Sequence, residues 1–515
     1  MSFLRATFTV GAMTILSRVL GFVRDVLSAN IMGAGLVADA FFVALKLPNF
    51  FRRMTAEGAF SVSFVPLFTR TLKEDGEEAA NQFATQAMLW MSAILVPFSI
   101  LAIIFMPDVI FLIAPGFDTD PERYALGVTL SRITFGYLFL MSLVALLGGM
   151  LNTLDRFLPF AAAPIVFNAV MIVMLVGATR FLPTAGHALA IGVLLAGILQ
   201  FIWMAVHLSR LGFRFKWQKL QLTPRIKRLF KLMGPGIIGA SAVQINLLVD
   251  IILASLLPIG AVSYLYYADR LNQLPLGLIG TAVGTALLPK LAAKFTSSDR
   301  GGAEFLFNRA LELTLLLTIP AATALAVMPH EIIAILFERG AFTAHDTMMT
   351  ARALFAYALG LPAYVAIKIF ATSLYANEDT VTPVKITLVC VCFNIVLALM
   401  FIKPLGHVGL ALATTIAAWI QLAIFLVMML RKKDINFDAL LQKNLTKTVL
   451  ICILMAITLV VSRMGVQNLL DAQGLKRLIG AVIMMGLGGS VFLALMLLWR
   501  VIDLKQWRAY FVTKD

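Results

Sequence analysis

The sequence predicts an all-α polytopic membrane protein. It has fourteen transmembrane helices: two six-helix pseudo-repeat bundles around a central cationic cavity, plus two C-terminal helices. Three observations predict this. Of 515 residues, 60% are hydrophobic and only 13% charged, with a mean hydropathy of +0.92, a balance that soluble domains do not show. Apolar runs of about 20 residues, the length that crosses a bilayer as a helix, recur along the chain. Finally, landmarks in the first half return in the second at one offset. The short alternating segments of a transmembrane barrel are absent.

The apolar runs fall at 6–31, 38–66, 84–106, 124–151, 158–179, 188–208, 232–257, 264–289, 308–328, 348–375, 384–402, 408–430, 447–462 and 478–500. Asp25 and Asp250 are 225 residues apart, as are Gly35 and Gly260; Pro48 and Pro275 are 227 apart, and Asn168 and Asn394 are 226 apart. Such an offset indicates a duplicated six-span unit. Because six is even, the two copies run parallel rather than inverted. The expected organisation is an N-terminal lobe at 1–210, a basic linker at 211–231, a C-terminal lobe at 232–431, and two extra spans with a tail at 432–515.

The formal net charge is +15. The cations gather in short links between runs, which argues for membrane orientation and headgroup contact rather than nucleic acid. The largest block, Arg210 to Lys231, holds eight cations and no acid. It places its side, and with it both termini, in the cytoplasm. Cys390, Cys392 and Cys452 all lie in apolar runs and read as small core hydrophobes. The first apolar run passes into charged residues and a second span, unlike a cleaved signal.

Charge inside the spans is concentrated between Ser17 and Ser61. Arg18, Arg24, Asp25, Asp39, Lys46, Arg52, Arg53 and Glu57 stand there. Each costs roughly 2.5–3.5 kcal/mol at a bilayer centre, so the group must line a protein interior or a wet cavity. Five cations against three anions make that cavity one for an anion. At 100° per residue, Ser17, Arg18, Arg24 and Asp25 fall within an arc of about 120°. Asp39, Lys46, Arg53 and Glu57 share a stripe on a straight helix, but Pro48 removes a backbone bond and kinks it, so the choice between Arg52 and Arg53 stays open. In the second half, YLYYADRLNQLP at 264–275 brings Asp269 and Arg270, either a pair near the membrane surface or a cation facing the first group. Lys368 lies well inside its span, as a further cavity cation or a partner for Glu57 or Asp39. Asp250 is an isolated mid-span carboxylate; with Asn394 and Thr414 it either holds Na⁺ or packs as a hydrogen-bonded residue. The five histidines lack metal-ligand spacing, no Walker A sequence is present, and no catalytic constellation shares one membrane depth. The chain is expected not to be an enzyme.

SRVLGFVRD at 17–25, DAFFVALKLPNFFRR at 39–53, AEGAFSVSFVP at 56–66, APGF at 114–117 and YYADRL at 266–271 resemble the MurJ (MviN-type) lipid II flippases, of the multidrug/oligosaccharidyl-lipid/polysaccharide exporter superfamily. The resemblance covers essentially the whole chain. It implies a transporter of the bacterial inner membrane. Its cargo would be the undecaprenyl-pyrophosphate-linked disaccharide-pentapeptide, carried to the periplasmic leaflet by alternating access. Membrane lipids and cell-wall synthesis proteins are the implied partners, and nucleic acid is not one. The resemblance assigns Arg18, Arg24, Arg52 and Arg270, with Ser17, Asn49 and Ser263, to the substrate cavity. Asp25, Asp39, Arg53, Glu57, Lys46 and Lys368 are the expected gate or cavity charges. No cofactor is implied beyond coupling to Na⁺ at Asp250, Asn394 and Thr414, or to membrane potential; Ala398 stands where that Na⁺ site would have another acid, and Gln273 replaces an acid found in some members. The competing reading is an exporter of another anionic lipid-linked glycan or of drugs.

Overall fold

Hydrocarbon offers the backbone no water, so apolar runs close their own hydrogen bonds as helices, and every regular element among the described residues is helical. The structure is a computed structural model. It describes residues 3–54, 60–213, 215, 218–297, 299–431, 436–472 and 474–501, without the side chains of 3–8, 235–243, 280–286 and 295. Ten helices among these are long and apolar enough to cross a membrane, which makes this a multi-pass membrane protein. The other four expected runs, 6–31, 38–66, 232–257 and 264–289, each pass through residues or side chains outside that description.

Two compact units divide the chain. The first, Met1–Ser263 with Arg339–Thr343, contains α1 (Phe3–Met32), α2 (Leu36–Arg52), α3 (Ser61–Ile104), α4 (Met106–Ile113), α5 (Pro121–Phe135), α6 (Tyr137–Thr153), α7 (Phe157–Val173), α8 (Ala185–Ser209) and α9 (Pro224–Ser255). Its core is a run of stacked rings, Phe60, Phe64, Phe68 and Phe83, with centroids 5.0–5.5 Å apart. Leu147, Met150, Met204, Leu208, Phe213 and Ile226 close around them. α3 is interrupted at Gly76, whose φ of 85° suits glycine alone among ordinary residues.

α2 does not break at Pro48; it runs on to Arg52. The missing proline N–H would orphan the Ala44 carbonyl, and the buried Thr134 hydroxyl of α5 donates to that carbonyl at 2.7 Å. A neighbouring helix thus supplies the bond that the sequence removes.

The second unit is Tyr264–Glu338 with Ala344–Asp515. It holds most of α10 (Ala261–Thr296), then α11 (Arg300–Val327), α12 (Pro329–Phe337), α13 (Ala344–Ala358), α14 (Leu361–Ala376), α15 (Val381–Leu405), α16 (His407–Arg431), α17 (Ala439–Leu470) and α18 (Leu475–Leu498). Phe307, Phe370 and Phe425 anchor its core. The α17–α18 hairpin is fastened to this unit at both ends. At one end Arg309 bonds Glu312 and Asp438, and Asn444 donates to Glu312. At the other, Arg463 pairs with Glu331 at 3.0 Å and Arg477 with Glu338 at 2.7 Å.

Burial pushes Glu338 up, but the hydrogen bonds from Arg477 and Thr347 and the nearby charges outweigh it, so the carboxyl titrates below its ordinary range. The attachment is therefore complete above the usual glutamate value of about 4.3 and weakens as pH falls through the lower folded value. We expect Glu338→Gln to lower the melting temperature in detergent by about 2 °C at neutral pH, and the gap from the parent protein to close as pH falls through the carboxyl's lowered folded value. A gap that persists in acid would mean that the carboxylate charge contributes nothing.

Candidate functional site

In α1, Arg24 and Asp25 are buried, 8% and 5% exposed, where the helix packs on α7. Arg24 Nε and Nη2 donate to Asp25 Oδ1 at 3.2 and 2.7 Å. Its Nη1 donates to Asn168 Oδ1 at 3.0 Å. Asn168 is held in turn, its amide donating to the Ser17 carbonyl at 3.0 Å. The guanidinium is thus fixed by one charged and one neutral acceptor, the arrangement that makes a buried arginine tolerable and directional. Ser17 is half-buried and Arg18 is exposed. Sequence reading singled out Asn168 as a repeat landmark only; its contact with Arg24 comes from α7.

α2 carries the next group. The Asn49 amide donates to the Leu45 carbonyl at 2.8 Å and its oxygen accepts from Arg52 Nε at 3.1 Å. Arg52 is half-buried and Arg53 exposed, which distinguishes the two arginines left open by helical phase. Lys46 is half-buried; Glu57 lies outside the described residues. In the second unit, Arg270 lies over the Tyr266 ring at 4.7 Å. Gln273 donates to Asp269 at 3.0 Å, and Lys368 is half-buried on α14. Of the expected Na⁺ ligands, Asp250 belongs to the first unit and Asn394 and Thr414 to the second. The Thr414 hydroxyl donates to its own helix at Leu410, 3.1 Å away. Among the described residues no three His, Cys, Asp or Glu side chains gather as a metal site.

Among the described residues the most enclosed charge is Asp39, fully buried near the start of α2. Its Oδ2 accepts from Arg123 Nη2 at 2.6 Å and from the Gly260 N–H at 2.8 Å. Its Oδ1 accepts from the Ser263 N–H at 2.9 Å and the Ser263 hydroxyl at 2.6 Å. Ser263, expected in the substrate cavity, here directs both donors to Asp39. Arg123, 2% exposed, also donates to the Ser255 and Leu257 carbonyls at 3.5 and 3.4 Å and lies over Phe117 at 4.1 Å. Local sequence puts it there. Asp120 caps α5, accepting from the Glu122 and Arg123 N–H groups, and Pro121 opens the first turn. APGF brings the preceding turn against the end of α9: Gly116 packs so closely that a Cβ would collide with the Ser255 carbonyl. Sequence reading missed Arg123. The signal was there, a lone cation soon after APGF among Asp108, Asp118, Asp120 and Glu122.

Removing one member of a buried pair leaves the other charge uncompensated, at about 3–5 kcal/mol. Arg123→Met and Asp39→Asn should each destabilise the purified protein strongly, and the double variant should lose less than the two losses added. Denaturant unfolding of the four proteins gives the coupling; additive losses would show that the pair is not coupled.

The family model for the lipid II flippase MurJ matches residues 28–501. A probable lipid II flippase MurJ of Rhizobium meliloti (strain 1021) is 40% identical over 468 residues, 90% of this chain and 87% of that one. The lipid II flippase MurJ of Burkholderia cenocepacia is 35% identical over 442 residues, 84% of this chain and 85% of its own. A solved lipid II flippase MurJ in an inward closed conformation aligns with a TM-score of 0.80 at 29% identity, covering 95% of this chain and 98% of that one. An inward-facing multidrug resistance MATE family transporter of the MOP superfamily aligns at 0.67 and 14% identity, over 85% of this chain and 99% of its own, a likeness of fold. With a family model spanning nearly its whole length and relatives of this identity, the chain belongs to the MurJ lipid II flippase family.

Proposed function

We propose that this protein carries lipid II, the undecaprenyl-pyrophosphate-linked precursor of peptidoglycan, from the cytoplasmic to the periplasmic leaflet of the bacterial inner membrane. It is a transporter, not a catalyst. One observation carries the reading: in a chain matched by the lipid II flippase family from 28 to 501, the first helix holds a buried guanidinium, Arg24, braced by Asp25 and Asn168. A pyrophosphate diester has about two negative charges and several acceptor oxygens, which guanidinium forks match in geometry and at any physiological pH. We assign Arg18, Arg24, Arg52 and Arg270 as the arms that take the headgroup, so that its desolvation in crossing is offset by charged hydrogen bonds. The reading includes fourteen spans in two six-helix repeats with two extra helices, and both termini in the cytoplasm.

Fork geometry, rather than net charge, is the test of the arms. A charged hydrogen bond contributes roughly 1.5–3 kcal/mol, so Arg24→Lys and Arg270→Lys should weaken binding of undecaprenyl pyrophosphate by about 10- to 150-fold. Undecaprenyl monophosphate should lose less. Wild-type affinity in both variants, measured on purified protein, would remove these arginines from the headgroup site.

Orientation has its own test. With Cys390, Cys392 and Cys452 replaced, Leu220→Cys should resist an impermeant thiol reagent in intact spheroplasts, and Thr119→Cys should react. The reverse pattern would invert the topology.

A further inference from the structure

The linker between the two repeats is built into the first unit as a strap. Gln86 of α3, 5% exposed, grips it with three hydrogen bonds. Its amide donates to Gln218 Oε1 at 3.1 Å and to the Lys219 carbonyl at 2.8 Å, and its oxygen accepts from the Gln221 N–H at 2.9 Å. Trp90 donates to the Gln221 carbonyl at 3.0 Å. Phe213, Ile226 and Leu229 are sunk in the core. Arg225 is neutralised by Asp75 at 2.6 Å.

What remains outward is a fixed edge. Lys219, Lys227, Arg228 and Lys231 are exposed and make no ion pair among the described residues. Between and beside them Leu220 and Leu222 are 47% and 48% exposed. The edge leads into α9, whose later part is the apolar run at 232–257, so it lies at the level where that helix enters the membrane.

We propose that this edge docks on anionic glycerophospholipids of the adjoining leaflet, the phosphates on the four cations and the acyl-chain boundary on the two leucines. Exposed leucines among cations suit an interfacial bed and do not suit water. Three of the four cations are lysines, compact point charges spread over 13 residues (219 to 231). They fit several separate headgroups better than the two adjacent phosphates of one pyrophosphate, for which a planar fork is preferred. The partner is therefore bulk anionic lipid rather than the transported one. That the leaflet is the cytoplasmic one rests on the orientation read above, but the docking does not depend on it.

The test uses the full chain in nanodiscs, where both faces are open, so an inverted topology leaves it unaffected. The native cysteines are replaced, Leu222→Cys carries a fluorophore, and quenching by doxyl-labelled phosphatidylglycerol is compared with that by doxyl-labelled phosphatidylcholine. We expect at least about two-fold stronger quenching by phosphatidylglycerol. The ratio should fall to one in the K219Q/K227Q/R228Q/K231Q variant and in about 1 M salt, where the screening length is ~3 Å. A ratio of one at low salt, or one that neither salt nor the variant changes, overturns the proposal. The salt series on the unsubstituted strap decides the matter if the variant does not fold. Loss of phosphatidylglycerol quenching on adding stoichiometric undecaprenyl pyrophosphate would make the strap a substrate contact and overturn the bulk-lipid assignment.

Discussion

The Asp39–Arg123 pair sets the shape of the first unit. A carboxylate with no exposure survives only if its lone pairs are met, and Asp39 has four donors on two oxygens. Arg123 in turn reaches the last carbonyls of α9, the negative end of that helix. One arginine thus ties α2 and α5 to the α9–α10 turn. This is why the compact unit runs on to Ser263 rather than stopping at the linker, where composition alone marks a division. Arg123 Nε is buried and finds no acceptor among the described residues, so the guanidinium is held through its two Nη groups alone.

Arg24 illustrates a different use of the same side chain. Its partners include a carboxylate and an amide at a two-helix contact, and the amide is itself pinned to α1 through Ser17. These bonds fix the plane of the guanidinium from two helices.

The all-helical, multi-pass character of the fold was legible because hydrophobic runs are long-range, redundant signals. The α5–α6 run breaks at Gly136 and the α13–α14 run at Leu359–Gly360, and neither interruption disturbs the apolar pattern enough to be read. The site was legible in part. Charge inside apolar sequence marked Arg24, Asp25 and Asp39 correctly as non-lipid-facing, since insertion costs allow nothing else. Periodicity left Arg52 and Arg53 open because adjacent residues differ by only 100°; Arg52 is the more buried of the two and donates to Asn49. Arg123 escaped because it sits in what reads as a loop, where a single cation is ordinary; only the fold brings it to Asp39.

The offset expected from the sequence pairs positions across the two units. Asp39 is the fourth residue of α2, and Tyr264, 225 positions on, is the fourth of α10; Arg123 is the third of α5, and Asp346 the third of α13. In the second unit the Tyr264 hydroxyl donates to Asp346 at 3.1 Å, with the His407 ring 5.4 Å from the tyrosine. The contact of α2 with the first turn of α5 thus has a counterpart between α10 and the first turn of α13. In the first unit the acid lies on α2 and the cation on α5; in the second a phenol on α10 stands in the acid's position and the acid lies on α13. Similarly Val249 stands where the repeat would put Arg24, beside the retained Asp250. Charge therefore differs between these matched positions: Arg24 against Val249, Asp39 against Tyr264, and Arg123 against Asp346.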